Sequence, residues 1–328
     1  MPLEPLPLGP GSRGPAVADL QRRLAGLGYA LAGDSTGVWG AATEQAVRQF
    51  QEHKGLNVDG SCGDQTWNLI VEAGYHLGDR RLYQRKPMMR GDDIADLQRR
   101  LGAMGFDAGK VDGIFGPDTA AAVADFQRNA GLTVDAIFGP DELRALERVG
   151  SRGDAQVAEL RELAALRWSA RTLDDRIFAV AERGGLDALV SALGRRLSRL
   201  GATALVLHHP DGSQLAARAN AAGAELFVEM AMRSDDRGPG CRCAFYRTEG
   251  YASPAGHRLA ELIHERAAAA LDVPELGLAG MVVPVLRETR MPAVVCELGP
   301  SARLVERAPA VVQAVADAVV SWATCPPV

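Results

Sequence analysis

The stretch Leu20-Gln-Arg-Arg-Leu24 returns as Leu97-Gln-Arg-Arg-Leu101, and this repetition decides the fold of the N-terminal half. Downstream, Gly37-Val-Trp-Gly40 is matched by Gly113-Ile-Phe-Gly116. Further matches keep the same order: Gly28-Tyr29 with Gly105-Phe106, Thr43 with Thr119, Phe50-Gln51 with Phe126-Gln127, and Gly55-Leu56 with Gly131-Leu132. Self-similarity of this kind indicates a tandem repeat of one small unit.

Each copy is predicted to form three short helices. Apolar residues recur at helical spacing, and in the first copy they are Val17, Leu20, Leu24, Ala46, Val47, Phe50, Trp67, Leu69 and Ile70. In the second copy, glycine-rich turns lead into Pro117 and Pro140, which suit the first helical position, where an N–H group has no partner to lose. The predicted boundaries are a tail at 1–10, modules at 11–75 and 88–148, and a linker at 76–87.

The order Leu-Gln-x-x-Leu, Gly-Tyr/Phe, Asp-Gly-x-Phe/Trp-Gly, Thr, Phe-Gln and Gly-Leu resembles the peptidoglycan-binding module found beside cell-wall hydrolases. The resemblance covers about 11–75 and 88–148. Most of these residues are interpreted as helical core. The resemblance implies that recognition lies in a groove between helices, and its ligand-binding residues are unknown from the sequence.

Composition sets limits on the class of protein. The chain has 328 residues, a net charge of −5 and 23% charged residues, which predicts two or three domains and argues against nucleic acid as the main partner. No secretion signal or membrane-spanning stretch is evident, so a cytoplasmic location is expected. Five cysteines form no disulfide framework. Cys241 and Cys243 share a strand face without a second pair nearby in sequence, so ordinary thiols are favoured over a metal site.

Beyond a charged connector at 149–172, the pattern changes to that of an α/β domain at 173–326. Short apolar runs alternate with amphipathic stretches, which predicts a mixed sheet flanked by helices. The predicted strands are 176–181, 203–208, 225–231, 242–247, 281–286 and 292–297, and the predicted helices are 186–200, 213–222, 254–271 and 303–323.

This region resembles the zinc-dependent N-acetylmuramoyl-L-alanine amidase family. The residues that carry the resemblance are Leu215-Ala-Ala-Arg218-Ala219-Asn220, Ala224-Glu-Leu-Phe-Val228, Ser253 with Leu259-Ala260, and Met291-Pro-Ala-Val-Val-Cys-Glu297-Leu-Gly299. The family is implied to cleave the bond between muramic acid and the stem peptide. It uses zinc held by two histidines and a glutamate, with a second glutamate as the acid/base.

The residues at the family's functional positions differ from that pattern. Arg183 stands at the first zinc histidine, Ala231 stands at the second, and the segment with the glutamate ligand is missing, with Asp187 the nearby carboxylate. Glu297 matches the acid/base glutamate. Catalytic zinc requires three protein ligands, so no metal or other cofactor is predicted and a pseudo-enzyme is expected. Arg183 is either an exposed arginine or the ion-pair partner of Glu297.

Two histidine groups are alternative metal ligands. His208 and His209 end a strand and point to opposite faces, so at most one of them turns toward the site. His257, Glu261 and His264 share a helix face opposite the apolar residues, which predicts a solvated surface.

The whole layout resembles the actinobacterial CwlM-type proteins, with the junction Gly74-Tyr-His-Leu-Gly-Asp-Arg-Arg-Leu-Tyr83 adding to the resemblance. It implies a cytoplasmic, non-catalytic regulator or scaffold of peptidoglycan biosynthesis. The implied partners are peptidoglycan or its cytoplasmic precursor, and the UDP-N-acetylglucosamine enolpyruvyl transferase. The group's control by phosphorylation of a C-terminal tail is not carried over, because only Thr324 follows Ser321 as a hydroxyl. The alternative is an active, zinc-dependent amidase.

Overall fold

The computed structural model describes residues 6–149, 162, 172–233, 238–248 and 251–324. Contacts divide the chain into two compact units, Met1–Leu160 and Arg161–Val328. Most of the predicted connector at 149–172 and the Cys325 thiol lie outside the described residues. Within the described part of the chain, every helix is too short or too polar to cross a bilayer.

The first unit contains the two predicted three-helix modules. Its helices are α1 (Pro15–Gly26), α2 (Ala41–His53), α3 (Asp64–Ala73), α4 (Asp92–Ala103), α5 (Pro117–Ala130) and α6 (Pro140–Val149). Pro117 occupies the first turn of α5, as predicted. Each module has its own apolar core, the first around Phe50 and the second around Phe126.

The predicted tail and linker each contribute to a module core. Leu8 forms an antiparallel bridge with Cys62, and Leu82 forms the matching bridge with Phe138. Both leucines are buried. The repeat therefore begins upstream of the predicted module boundaries at 11 and 88. Each module includes one further apolar side chain in its core.

The glutamine of each Leu-Gln and Phe-Gln pair joins a turn to the next helix. The buried Gln98 donates from Nε2 to the Ile114 carbonyl (3.1 Å), Asp112 Oδ1 (3.0 Å) and Thr119 Oγ1 (3.0 Å). Its Oε1 accepts the Gly113 N–H (2.9 Å). One amide thus gives partners to polar groups of a buried turn, beside the isolated backbone bridge that Ile114 forms with Arg90.

The same arrangement recurs at three other buried glutamines. Gln21 bridges Gly37 and Thr43, Gln51 bridges Gly60 and Thr66, and Gln127 bridges Ala136 and Glu142. Each of these four turns therefore depends on one side-chain amide, which explains why glutamine recurs in the repeat.

The linker between the modules is held by an arginine. Arg80 Nε lies 2.7 Å from Oδ2 of Asp93, whose side chain is buried, and its guanidinium stacks 3.7 Å from the ring centroid of Tyr75. A buried carboxylate therefore binds Arg80, although the arginine lies in the predicted linker.

The second unit is built on a mixed sheet in the order β2-β1-β3-β7-β4-β5, with β6 also paired to β4. The strands β1, β2, β3 and β7 run parallel, whereas β4 is antiparallel to β7. The strands are β1 (Ile177–Glu182), β2 (Thr203–His208), β3 (Leu226–Met232), β4 (Gly240–Thr248), β5 (Tyr251–Ala252), β6 (Glu275–Met281) and β7 (Ala293–Gly299). The helices are α7 (Asp187–Arg199), α8 (Gly212–Ala221), α9 (Pro254–Leu271), α10 (Pro284–Glu288) and α11 (Ser301–Thr324).

Helices cover both faces of this sheet. The helices α7, α9 and α11 pack on one face around Val180, Val228 and Cys296, while α8 packs with α10 on the other. The chain runs from β1 outward to β2 and then returns past β1 to β3, so the crossover direction reverses between β1 and β3. In open α/β sheets this reversal leaves a crevice at the carboxyl ends of the strands.

One predicted strand is wrong. The predicted strand 281–286 is not formed: Met281 is the last residue of β6, which begins at Glu275, and Pro284 begins the helix α10. A short apolar run does not distinguish a strand from a helix. Pro284 fits the first turn of a helix, and Gly277 and Gly280 conceal the strand that precedes it.

The substitution Gln51→Leu should destabilise the first module by about 1–3 kcal/mol, because it leaves the polar groups of a buried turn without partners. Hydrogen–deuterium exchange of peptides from α1 to α3 measures this as faster opening. The matched control is Gln49→Leu, which changes an exposed residue of the same helix. Equal exchange in the two variants would show that the buried amide does not hold the turn.

Candidate functional site

The candidate site lies at the carboxyl ends of β1, β3 and β7, where the crossover direction reverses. Register places Ala181 beside Glu229, and Ala231 beside Glu297, on one face of three neighbouring strands. Arg183 follows the end of β1 directly. The fold therefore brings the three positions that were predicted from the sequence, Arg183, Ala231 and Glu297, to one edge of the sheet.

Arg183 forms an ion pair, but its partner is not Glu297, which the sequence offered as one of two alternatives for this side chain. Its Nε lies 2.6 Å from Oε1 of Glu229 on β3. The reason is strand order: β3 is the neighbour of β1, whereas β7, which carries Glu297, lies one strand further away. The Arg183 side chain is 47% exposed while that of Glu229 is fully buried, so the arginine reaches from the surface onto an interior carboxylate.

The environment of Glu229 opposes its charge. Burial raises the pKa of the Glu229 carboxyl, and the Arg183 guanidinium lowers it by less, while Glu297 and Glu182 raise it further. Among the described residues, Oε2 of Glu229 has no hydrogen-bond partner. Because only Oε1 of this buried carboxylate has a partner, removal of Arg183 would leave its charge uncompensated.

A second carboxylate, Glu182, faces the opposite side of the sheet edge and is fully satisfied. It accepts the N–H groups of Gly184 (2.6 Å) and Leu186 (3.1 Å), and its Oε1 lies 3.1 Å from His208 Nδ1. Burial raises the pKa of Glu182, but the Leu186 N–H, the His208 ring and the Gly184 N–H together outweigh it, so the pKa lies below its usual range. The other ring nitrogen of His208 lies 3.2 Å from Oδ1 of Asp187.

These residues do not fit the zinc ion of the amidase family that the domain resembles. Arg183 is a cation without a lone pair, and Ala231 carries no donor atom. The unpaired Oε2 of Glu229 offers one ligand atom, and both nitrogens of His208 are already held between carboxylates. Glu297 is half-buried beside Ala231 at the end of β7. Three ligands around one ion are therefore not assembled by the described residues of this edge.

The histidine face of α9 is less solvated than predicted. His257 and Glu261 lie 3.5 Å apart and are both partly exposed, and the His257 ring meets Phe245 edge-on. His264, however, is buried, and its Nε2 accepts the Gly277 N–H of β6 (3.1 Å). The prediction of a solvated surface is therefore wrong for His264, because β6, the strand that the sequence hid, covers it.

Sequence reasoning missed a cluster of cysteines on the other face of the sheet. Cys243 of β4 pairs directly with Cys296 of β7, and Cys241 shares their face. The three Sγ atoms lie within 4.8 Å of one another, and all three residues are buried. Hydrogen bonds from the other two thiols lower the pKa of Cys241. Burial raises the pKa of Cys243, and the bond to Cys241 raises that of Cys296.

Comparison with known families identifies the modules. Residues 13–70 and 90–146 each match the peptidoglycan-binding domain family. A Mycobacterium tuberculosis protein named N-acetylmuramoyl-L-alanine amidase CwlM is 32% identical over 327 residues, covering 88% of this chain and 80% of the relative. The Bacillus licheniformis amidase CwlL is 32% identical over 146 residues, which cover 38% of this chain and 41% of that protein.

Among solved structures, an N-acetylmuramoyl-L-alanine amidase from Clostridium difficile matches 47% of this chain and all of its own chain. The identity is 15% and the TM-score is 0.40.

The fold, the two module matches and the mycobacterial relative define a class of protein in which tandem peptidoglycan-binding modules precede an amidase-like α/β domain. Within that class, the chain belongs to the family of CwlM-type proteins, given its 32% identity to the mycobacterial relative over 88% of this chain and 80% of that protein.

The substitution Arg183→Gln should make the stability of the amidase-like domain fall more steeply with rising pH. In the folded protein the pKa of Glu229 lies above its ordinary value of 4.5. The contribution of this carboxyl to stability is therefore complete below pH 4.5 and is lost as the pH rises through the folded pKa. Without Arg183 that pKa rises further, and we expect a loss of about 1–3 kcal/mol at pH 8 and a smaller loss at pH 5.

Differential scanning calorimetry at the two pH values measures this effect on the domain. Arg195→Gln, which alters an exposed arginine of α7, is the matched control and should change neither transition. A loss of stability in Arg183→Gln that is the same at both pH values would contradict the assigned pair.

Proposed function

We propose that this protein is a non-catalytic regulator or scaffold of peptidoglycan biosynthesis. The observation that carries the proposal is the ion pair of Arg183 with Glu229, which stands where the resembling amidases place their first zinc histidine. A guanidinium neutralises the buried carboxylate, as a metal ion also would, but it offers no open coordination position. It therefore cannot lower the pKa of a bound water or polarise an amide carbonyl as zinc does.

The remaining residues of the edge support the same proposal. Glu297 keeps the acid/base position, but an acid/base group requires an activated nucleophile to assist. Ala231, beside it, provides no ligand for the ion that would activate water. On this proposal, the edge of the sheet has kept the shape of an amidase site and serves as a surface for binding.

The proposed ligands follow from the modules. Two peptidoglycan-binding domains favour peptidoglycan or its precursor as the ligand. A cytoplasmic location, as expected from the sequence, would restrict the ligand to the precursor or to a biosynthetic enzyme. The UDP-N-acetylglucosamine enolpyruvyl transferase is the enzyme that we propose, on the resemblance to CwlM-type proteins.

An active amidase is the second candidate. It is favoured by the retained Glu297 and by the mycobacterial relative, whose name is that of an N-acetylmuramoyl-L-alanine amidase. This candidate requires zinc, whose ligands would have to come from residues other than Arg183 and Ala231.

The full-length protein, supplied with zinc, should release no labelled fragments from purified peptidoglycan. The reason is that its described sheet edge lacks three ligands for a catalytic ion. The measurement is dye release against a known zinc amidase, with Glu297→Gln tested in parallel. Zinc-dependent release that disappears in Glu297→Gln would establish the amidase and remove our proposal.

Binding should nevertheless be present. The full-length protein should sediment with insoluble peptidoglycan or bind a soluble muramyl-peptide precursor, and it should bind the purified enolpyruvyl transferase on a biosensor surface. Saturable binding of any one of these supports the regulator. Absence of binding to all three, at concentrations where the relatives' modules bind, would contradict it.

A further inference from the structure

We propose that Cys241, Cys243 and Cys296 form a buried structural site for one soft d10 cation, Zn2+ or Cu+. The site lies on the helix-covered face of the sheet, opposite the face that carries Glu229 and Glu297. It is therefore separate from the amidase-like edge and independent of the proposed function.

Strand register creates the cluster. In the antiparallel pairing of β4 with β7, Cys243 lies directly opposite Cys296, and Cys241 lies opposite Leu298. Alternate residues of a strand share a face, so the three side chains converge on one point. Sequence distance hides this, since β6, α9 and α10 lie between the two strands.

The spacing suits a metal ion. Thiolates bind zinc at about 2.3 Å, so three of them around one ion stand about 4 Å apart. The Sγ atoms lie within 4.8 Å of one another. A shift of less than about 1 Å, which rotation of the side chains supplies, would complete a trigonal set.

The surroundings select the kind of ion. The helix α9 covers β4, β6 and β7 over the cluster, and the three cysteines are part of the apolar core. Soft thiolate ligands in a closed site select zinc or Cu+ over oxygen-preferring cations such as Mg2+. Three thiolates suffice for a three-coordinate Cu+ ion, whereas zinc would take a fourth ligand to reach the tetrahedral set of a structural site. Because the cluster is enclosed in the apolar core, an ion held there would stabilise the fold rather than catalyse a reaction.

His264 lies close to the cluster but is held by another bond. Its carbonyl oxygen lies 3.9 Å from Cys241 Sγ, and its ring Nε2 accepts the Gly277 N–H. The other ring nitrogen lies 3.6 Å from Glu275 Oε2. The proposed ligand set is therefore the three sulfurs, with the ring of His264 as a support for the bulged strand β6 beside them.

A disulfide between Cys243 and Cys296 is the competing use of these residues. Such a bond would use two of the sulfurs and leave Cys241 without a role. The convergence of three cysteines, rather than two, favours a metal ion. Simple packing as small apolar side chains is the other competing explanation.

The test is elemental analysis and X-ray absorption of the full-length wild-type protein. The protein is refolded without oxygen in the presence of either Zn2+ or Cu+, because a closed site is filled during folding. We expect about one equivalent of one of the two metals, with a first shell of sulfur at about 2.3 Å for zinc. The metal that remains after mild chelation identifies the ion.

Variants assign the ligands. Cys243→Ala and Cys296→Ala should each lower metal affinity at least about tenfold, whereas Cys62→Ala, which removes a buried thiol of the first module, should not. The absorption spectrum of the wild type keeps the test valid if a variant fails to fold.

The site would be overturned by less than about a tenth of an equivalent of either metal, by a disulfide in the intact mass without reductant, or by metal retention unchanged in Cys243→Ala. A shell of nitrogen and oxygen would overturn it as well, and would also count against the non-catalytic function. A sulfur shell leaves that function untouched.

Discussion

The need to give partners to buried polar groups shapes both units of this protein. In the modules, a single glutamine amide such as that of Gln98 bonds the N–H and carbonyl groups of a buried turn. In the amidase-like domain, backbone N–H groups and His208 hold Glu182, and Arg183 holds Glu229. The modules could not close their turns, and the sheet could not end in buried carboxylates, without these bonds.

At the sheet edge this constraint has a chemical consequence. An interior carboxylate needs hydrogen bonds or a positive charge close to it. At Glu229, either a metal ion or an arginine would supply that charge. An arginine cannot exchange its ligands or activate water, whereas a catalytic metal ion does both. On the proposed function, replacement of the ion by Arg183 would preserve the fold around Glu229 while removing the chemistry, and the protein would be free to use the surface for binding.

Local patterns predicted most of the elements. The six helices of the modules and the strands β1, β2, β3, β4 and β7 follow from apolar periodicity and from the turns that precede them. The run 281–286 was wrong because a short apolar stretch fits either a strand or a helix, and Pro284 decides for the helix. The same error hid β6, so the burial of His264 beneath that strand could not be foreseen.

The sequence by itself determined the tandem repeat and the mixed α/β domain, because these depend on local order and spacing. Only the tertiary structure decided that Arg183 pairs with Glu229 instead of Glu297, since strand order sets which carboxylate is near. It also decided that Cys296 joins Cys241 and Cys243. The pairing between β4 and β7 joins strands that are distant in the sequence, and its register is set by which side chains the core of the whole domain buries.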